Sequence, residues 1–318
     1  MKKFVFFILF FCILSTVGVF YYARSVFLLP LPYNKPVVFE LQKGDSTQKL
    51  AAKLAKQNFV PHPLLVRLAM RFYKLDTQLK AGEYLLTPHM SLLNILKTFT
   101  SGKVIMHRLT LPEGLTTAQM LKLINDNTLL SGNIPENVPE GSLLPETYTF
   151  AKGETRYNIV QSAQKNMKQA LDKAYNNRDS NLPLKNKKEF LILASIVEKE
   201  TGINAERAKV ASVFINRLNI DMPLQTDPTV IYALTLGRSD LKRSLKRKDL
   251  EIDSPYNTYK YKGLPPTPIC NPGLKALEAV AHPEHTNYFY FVADGNGGHR
   301  FAKTLNEHNQ NIKLWLKK

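Results

Sequence analysis

The segment KEFLILASIVEKETG (188–202) closes a nearly all-apolar stretch with Glu198-Lys199-Glu200. From Phe190 to Val197 it is apolar on nearly every side, which predicts a buried helix. A carboxylic acid at the end of such a helix loses hydration, so its neutral form is favoured and its pKa rises. A carboxyl that still holds its proton near neutral pH is what a general acid needs. Glutamates two positions apart on a helix diverge by about 200°, so only one of them can face a given substrate. Glu200 continues the line Phe190, Leu193, Val197, and Glu198 follows Leu191, Ala194 and Ser195. Periodicity does not choose between them, and a helix that simply leaves the core at a charged end accounts for both.

Downstream, PLQTDPTVIYAL (223–234) places Asp227 before Pro228, a pairing expected of a helix N-cap followed by Pro at the first helical position. Gln225 has no such local explanation. SPYNTYKYKGLPPTPICNPG (254–273) sets Tyr256, Asn257, Tyr259, Tyr261 and Asn271 among prolines and glycines. Aromatic faces and amides on a stiff loop suit carbohydrate, with its apolar C–H faces and many hydroxyls; a long, well-packed loop is the alternative. His282-Pro-Glu-His285 lacks the spacing of a zinc helix, and GNGG (295–298) is too short for a phosphate loop. Six basic residues between Arg238 and Lys248 read as a solvated face, not a nucleic-acid site.

These residues need elements to hold them. The chain has 318 residues, 44% hydrophobic and 22% charged, with a formal charge of +17, a globular composition that excludes collagen, coiled coil or long disorder as the main architecture. The positive excess suits an anionic partner or surface. Two cysteines, Cys12 and Cys270, cannot build a disulfide framework, a cysteine-rich zinc site or a CxxC pair. Phe4 to Ala23 carries no charge and follows Lys2 and Lys3; it predicts an uncleaved membrane-crossing helix with a cytoplasmic N-terminus, anchored by Tyr21 and Tyr22. Cys12 then lies in lipid and Cys270 is left as a lone, buried thiol.

After a Pro-bearing stretch (28–36), FEL (39–41), a helix from Ser46 to Gln57 opened by a capping box at Asp45, a helix over 63–73 and GEYLL (82–86) predict a β-α-α-β unit. Helices near 91–100 and 116–125, the latter capped by Thr116 and Gln119, flank a strand at 106–111. Asn176–Lys188 reads as an exposed loop, 209–218 as a helix, and 288–294 with 299–303 as a hairpin around GNGG. The fold class is α+β, without the regular alternation of a doubly wound sheet.

LASIVEKET (193–201), KVASVFINRL (209–218), LQTDPTVIYAL (224–234), SPYNTY with GLPP (254–266), NPG (271–273), AHP (281–283), the YFVAD-NGGH-F block (290–301) and EHN (307–309) stand in fixed order. Together with LKAGEY (79–84) and LPEG (111–114), they resemble the YceG-like family of endolytic murein transglycosylases. The resemblance implies a cytoplasmic tip (1–3), a transmembrane helix (4–23), a connector (24–37), a LysM-like subdomain (38–88) and a mixed α+β catalytic domain (89–318). It implies cleavage of nascent peptidoglycan at the inner membrane, with the catalytic domain periplasmic and the synthesis machinery as a partner. It selects Glu200, the second glutamate of E-x-E, as the single catalytic carboxylate, with neither metal nor cofactor. Gln225, Tyr256, Asn257, Asn271 and His299 are candidate sugar contacts by motif membership and chemistry. The chain departs from the family at LLPETY (143–148) and at Thr267. A non-catalytic peptidoglycan-binding scaffold and a two-carboxylate glycoside hydrolase using Asp227 are the competing readings.

Overall fold

The uncharged N-terminal run folds as one helix, α1 (Lys2–Leu28), in the computed structural model of the chain, which describes residues 2–76 and 78–317. It runs past the expected end at Ala23 because Arg24–Leu28 contain no helix breaker; Pro30 is the first residue that cannot continue it. Phe6–Leu28 is long and apolar enough to cross a membrane, and no residue of its most apolar stretch is buried by the rest of the chain.

The residues through His107, joined by Thr149–Gly153, form one unit. Strand β1 (Val37–Leu41), helices α2 (Thr47–Lys56) and α3 (Pro63–Phe72) and strand β2 (Gly82–Leu86) follow in order. β1 and β2 pair antiparallel with Phe39 opposite Tyr84. Leu50, Ala51 and Leu54 of α2 and Val66, Ala69 and Met70 of α3 close over that face. Ser46, not Asp45, caps α2 by accepting from the Lys49 N–H; Asp45 instead accepts from Gln42 N–H and pairs with Lys53. Helix α4 (Leu92–Ser101) drives Leu92, Ile95, Leu96 and Phe99 into the same core. Each such fully buried side chain contributes roughly 1.5–3 kcal/mol, so α4 is held firmly in the core of this unit.

The second unit comprises Arg108–Tyr148 and Glu154–Lys318. Strands β3 (Met106–Thr110) and β4 (Thr147–Ala151) pair with each other, and helix α5 (Thr117–Asp126) carries the Thr116/Gln119 capping box. Helices α6 (Arg156–Asn176), α7 (Lys187–Glu200), α8 (Asn204–Asn219), α9 (Asp227–Thr235) and α10 (Leu274–Ala281) precede a hairpin of β5 (Tyr290–Ala293) and β6 (His299–Ala302), and α11 (Leu305–Leu316) ends the fold. As its composition demands, α7 is buried from Ile192 to Glu198 and packs against α6, α8, α9 and α10.

The long loop before α10 lies along α7: Ile269 N–H donates to Ser195 Oγ at 3.0 Å, and Cys270 Sγ donates to the Ser195 carbonyl at 3.3 Å. Cys270 is fully buried, which pushes its thiol pKa up and keeps it protonated. Gly141, at φ +76°, lets a second loop approach: a Cβ there would stand 2.7 Å from Pro268.

Candidate active site

Glu198 and Glu200 take opposite roads, as their angular separation requires. Glu198 turns inward, where Oε1 accepts from Arg207 Nη2 at 3.0 Å and Oε2 accepts from Gly273 N–H at 2.9 Å. Both members of that ion pair are buried. Burial pushes the Glu198 pKa up, while Gly273 N–H and Arg207 oppose it. Its two oxygens tie the end of α7 to α8 and to the start of α10.

Glu200 keeps partial exposure and accepts a hydrogen bond from the hydroxyl of buried Thr226. Desolvation lifts its pKa to about 7; Thr226 works against that shift, the negative charge of Asp227 adds to it, and the charges of His299 and Arg217 reduce it. The carboxyl is therefore a proton carrier poised between its two forms near neutrality.

The turn that brings Thr226 here is pinned by threonines. Thr226 N–H donates to Thr258 Oγ1 at 3.1 Å, Gln225 N–H to the Thr258 carbonyl at 3.1 Å, and Thr229 and Thr258 hydroxyls share a 2.8 Å bond. Gln225 sits at φ +50°, a left-handed conformation that a non-glycine residue occupies at a cost. Asp227 is not the N-cap of α9. Thr226 holds that place, and its hydroxyl goes to Glu200, so the helix has no side-chain cap. Asp227 is the first helical residue; its exposed carboxylate accepts from Tyr259 Oη at 2.7 Å.

Arg217 reaches the same neighbourhood from α8. Its guanidinium is held by the carbonyls of Phe289 (2.7 Å), Pro223 (3.1 Å) and Leu224 (2.8 Å). His299, at the start of β6, is partly buried and fixed by Glu206, which accepts its backbone N–H at 3.1 Å and lies 2.8 Å from Nδ1. Gln225 is exposed, and Tyr256 is partly buried, its Oη 2.8 Å from Thr267 Oγ1 and its ring 4.9 Å from that of Tyr232.

Asn257 and Asn271 do not present their amides to a ligand. Asn257 is fully buried: Nδ2 donates to the carbonyls of Leu250 and Ile252, and Oδ1 accepts from Tyr259 N–H. Asn271 is equally buried, with Nδ2 on the Leu115 carbonyl and Thr117 hydroxyl and Oδ1 accepting from Leu143 N–H. Both stitch loops together, because a buried amide in a turn-rich segment is the cheapest way to satisfy stray backbone groups. Thr226, Arg217 and Tyr259 gather around Glu200 and Asp227; the residue-type argument passed over Thr226 and Arg217 and named Tyr259 only among the loop aromatics. Neither Arg217, next to Asn216 near the polar end of its helix, nor Thr226, between Gln225 and Asp227, carried a signal in the sequence.

A family model described as YceG-like matches residues 39–314, nearly the whole of both units. The chain belongs to the YceG-like family. It is 34% identical to a Bacillus subtilis (strain 168) protein named endolytic murein transglycosylase, over 92% of this chain and 89% of that one. It is 32% identical over 96% of its length to a Streptococcus pneumoniae (serotype 2, strain D39) protein of the same name, of which it spans 64%. The 2.6 Å crystal structure of a yceG-like protein from Listeria monocytogenes superposes with a TM-score of 0.53 at 32% identity, covering 87% of this chain and 99% of that one. YceG-like membership and the shared mixed α+β fold thus agree with the motif order.

Proposed function

We propose that this protein is a membrane-anchored endolytic murein transglycosylase with Glu200 as its catalytic carboxylate. The observation that carries the proposal is a carboxyl with a pKa raised to about 7, held by Thr226, in a chain whose relatives bear that activity in their names. Glu200 donates its proton to the oxygen of the β-1,4 bond between N-acetylmuramic acid and N-acetylglucosamine, and the bond to the muramoyl anomeric carbon breaks. The C6 hydroxyl of the same muramoyl residue then attacks that carbon. Its proton returns to Glu200, leaving a 1,6-anhydro ring and a free 4-hydroxyl, with no water consumed. Burial and Asp227 favour the acid needed first; Thr226 and Arg217 favour the carboxylate needed second.

A two-carboxylate hydrolase must position a water or a nucleophile as well as an acid. Asp227, exposed and close enough for its charge to act on Glu200, keeps that second reading on the table. Mass analysis of products from purified glycan strands separates them: anhydromuramic ends support the transglycosylase, reducing ends the hydrolase, and no cleavage a scaffold.

The β1-α2-α3-β2 arrangement supports reading residues 38–88 as a LysM-like glycan grip within the larger first unit. The apolar helix and the basic start supply a single-pass inner-membrane anchor with the N-terminus cytoplasmic and the catalytic domain periplasmic. Nascent strands as substrate make peptidoglycan synthases the natural partners.

A further inference from the structure

Helix α3 is apolar on two faces. Val66, Ala69 and Met70 fill the core, whereas on the other side Leu64, Leu68 and Phe72 are 43%, 50% and 77% exposed. A surface helix of a soluble domain turns polar residues outward; this one turns a stripe at i, i+4, i+8 flanked by Arg67 and Arg71, both exposed. Among the described residues, Arg67, Arg71 and Arg24 have no acidic partner within ion-pair distance.

The stripe is continuous with the anchor. A groove of about 830 Å³ runs between α3 and the end of α1, lined by Phe20, Ala23 and Phe27 on one side and Leu65, Leu68 and Phe72 on the other, with Arg24 and Arg71 beside them. The end of α1 is fastened to the unit: Val26 and Phe27 pack against its core, Leu31 N–H donates to the Met90 carbonyl at 3.0 Å, and the Tyr33 ring meets that of Phe59 at 5.0 Å. An apolar helix of about 20 residues spans a bilayer core, so the last turns of α1 lie at its outer boundary, and α3 lies at the same level.

We propose that α3 is a second membrane contact, lying in the outer interface of the bilayer that α1 crosses, with the groove taking acyl chain from an anionic phospholipid whose headgroup meets Arg24, Arg67 and Arg71. The inference rests on α1 being a membrane anchor. The apolar stripe matches acyl chain, and the arginines match a phosphate at headgroup depth, as in amphipathic helices that lie in the interface. The consequence is a fixed pose: a rigid unit held at two points on the membrane, instead of a domain swinging from a tether.

Full-length protein with Cys12→Ser, leaving buried Cys270 unlabelled, is reconstituted into vesicles of phosphatidylglycerol and phosphatidylethanolamine. Nitroxides are attached singly at Leu68→Cys, at Phe72→Cys, at Val17→Cys in α1 and at Lys49→Cys on the polar side of α2. Relaxation by oxygen, which concentrates in lipid, is compared with relaxation by a water-soluble nickel chelate. Labels 68 and 72 should be several-fold more oxygen-accessible relative to nickel than label 49, and Arg67→Gln with Arg71→Gln should make label 72 shallower. If label 17 is in lipid while 68 and 72 match 49, the inference is overturned and the anchor stands. If label 17 is also in water, the anchor reading fails and the inference with it. If 68 and 72 are buried equally in phosphatidylcholine vesicles and regardless of the arginine changes, the anionic headgroup assignment is overturned.

Discussion

Thr226 donates its hydroxyl to Glu200, although Thr226 is also the N-cap of α9, where that hydroxyl would ordinarily serve a helix N–H. The helix goes without a side-chain cap so that the carboxylate has a donor. A threonine replaced by alanine at an N-cap typically costs about 1 kcal/mol, so a contribution of that size has been diverted from stability to the site. Burial raises the Glu200 pKa and the Thr226 donor restrains the rise, which leaves the group at about 7.

A first prediction follows for the pH dependence of cleavage. If Glu200 must be protonated to begin the reaction, kcat/KM should be flat on the acid side of about 7 and fall on the basic side, with one proton lost. Thr226→Val removes a donor that favours the charged form, so the basic limb should move to higher pH. Asp227→Asn removes a negative charge that favours the protonated form, so the limb should move to lower pH with most of the maximal rate kept. Opposite displacements, read from full pH profiles, identify Glu200 as the titrating group. Equal displacement in both variants would assign the limb elsewhere.

Glu200→Gln tests the same carboxyl twice. Cleavage should fall by at least about 10²-fold, the low end for acid–base catalysis. Stability should move the other way. The folded-state pKa of about 7 lies above the ordinary 4.5, so the folded chain binds the proton more tightly than the unfolded one across that window. The stabilisation is complete below the window and is lost as pH rises through it. Glutamine carries no such dependence. The variant should match wild type near pH 4 and exceed it at pH 8 by roughly 1–3 kcal/mol, after discounting for partial exposure, in denaturant titrations at both values.

The contrast between α7 and its surroundings shows what a single sequence makes visible. A run from Phe190 to Val197 that is apolar except for Ser195 reads as a buried helix, and two glutamates at its end must diverge, so the helix and the divergence of the two carboxylates were legible from local pattern. So were β2, the Thr116 cap and the β5–β6 turn, each of which depends on neighbours within a few residues. The choice of Glu200 needed motif order, because periodicity treats both glutamates alike. The partners of both were invisible: Arg207 and Gly273 hold Glu198, and Thr226 holds Glu200, through contacts made only when separate helices and loops meet. Asn257 and Asn271 misled for the same reason, since residue type cannot say whether an amide faces a sugar or a stray carbonyl. The β1-α2-α3-β2 order was legible as a pattern; that α4 shares its core was not, because that contact forms only when the elements meet.

Glu198 should behave as a structural residue, and a demanding one. Removing one member of a buried ion pair costs about 3–5 kcal/mol when the other charge is left uncompensated; here Arg207 keeps the half-exposed Glu113 at 3.7 Å, which sets the loss at the lower end. Glu198→Ala should therefore lower the denaturation midpoint sharply, while Glu198→Gln, whose one carbonyl oxygen can still accept from Arg207 or from Gly273 but not from both, should lose less. At a temperature where the glutamine variant is folded, its pH profile should keep the basic limb near 7. A limb displaced as far as in the Thr226 or Asp227 variants would place Glu198 in the reacting machinery.

Asn271 should report on loop assembly and not on sugar affinity. Its side chain satisfies the Leu115 carbonyl and the Thr117 hydroxyl from one stretch of chain and the Leu143 N–H from another, and it is fully buried while doing so. Truncation to alanine leaves the Leu143 N–H without its acceptor, while the Leu115 carbonyl keeps the Asn271 backbone N–H at 2.9 Å and the Thr117 hydroxyl keeps the Pro139 carbonyl at 3.1 Å; a buried polar group left unsatisfied costs about 1–3 kcal/mol. Asn271→Ala should then unfold at markedly lower denaturant, with its deficit in cleavage recovered on cooling or in stabilising osmolyte. Tyr256→Phe is the informative contrast, since it removes one half-exposed hydroxyl bonded to Thr267 and leaves the loop's buried network intact. If Tyr256 meets glycan, that variant should raise KM with the denaturation midpoint unchanged. An Asn271→Ala protein of normal stability with a raised KM would reverse the assignment and return the amide to the sugar.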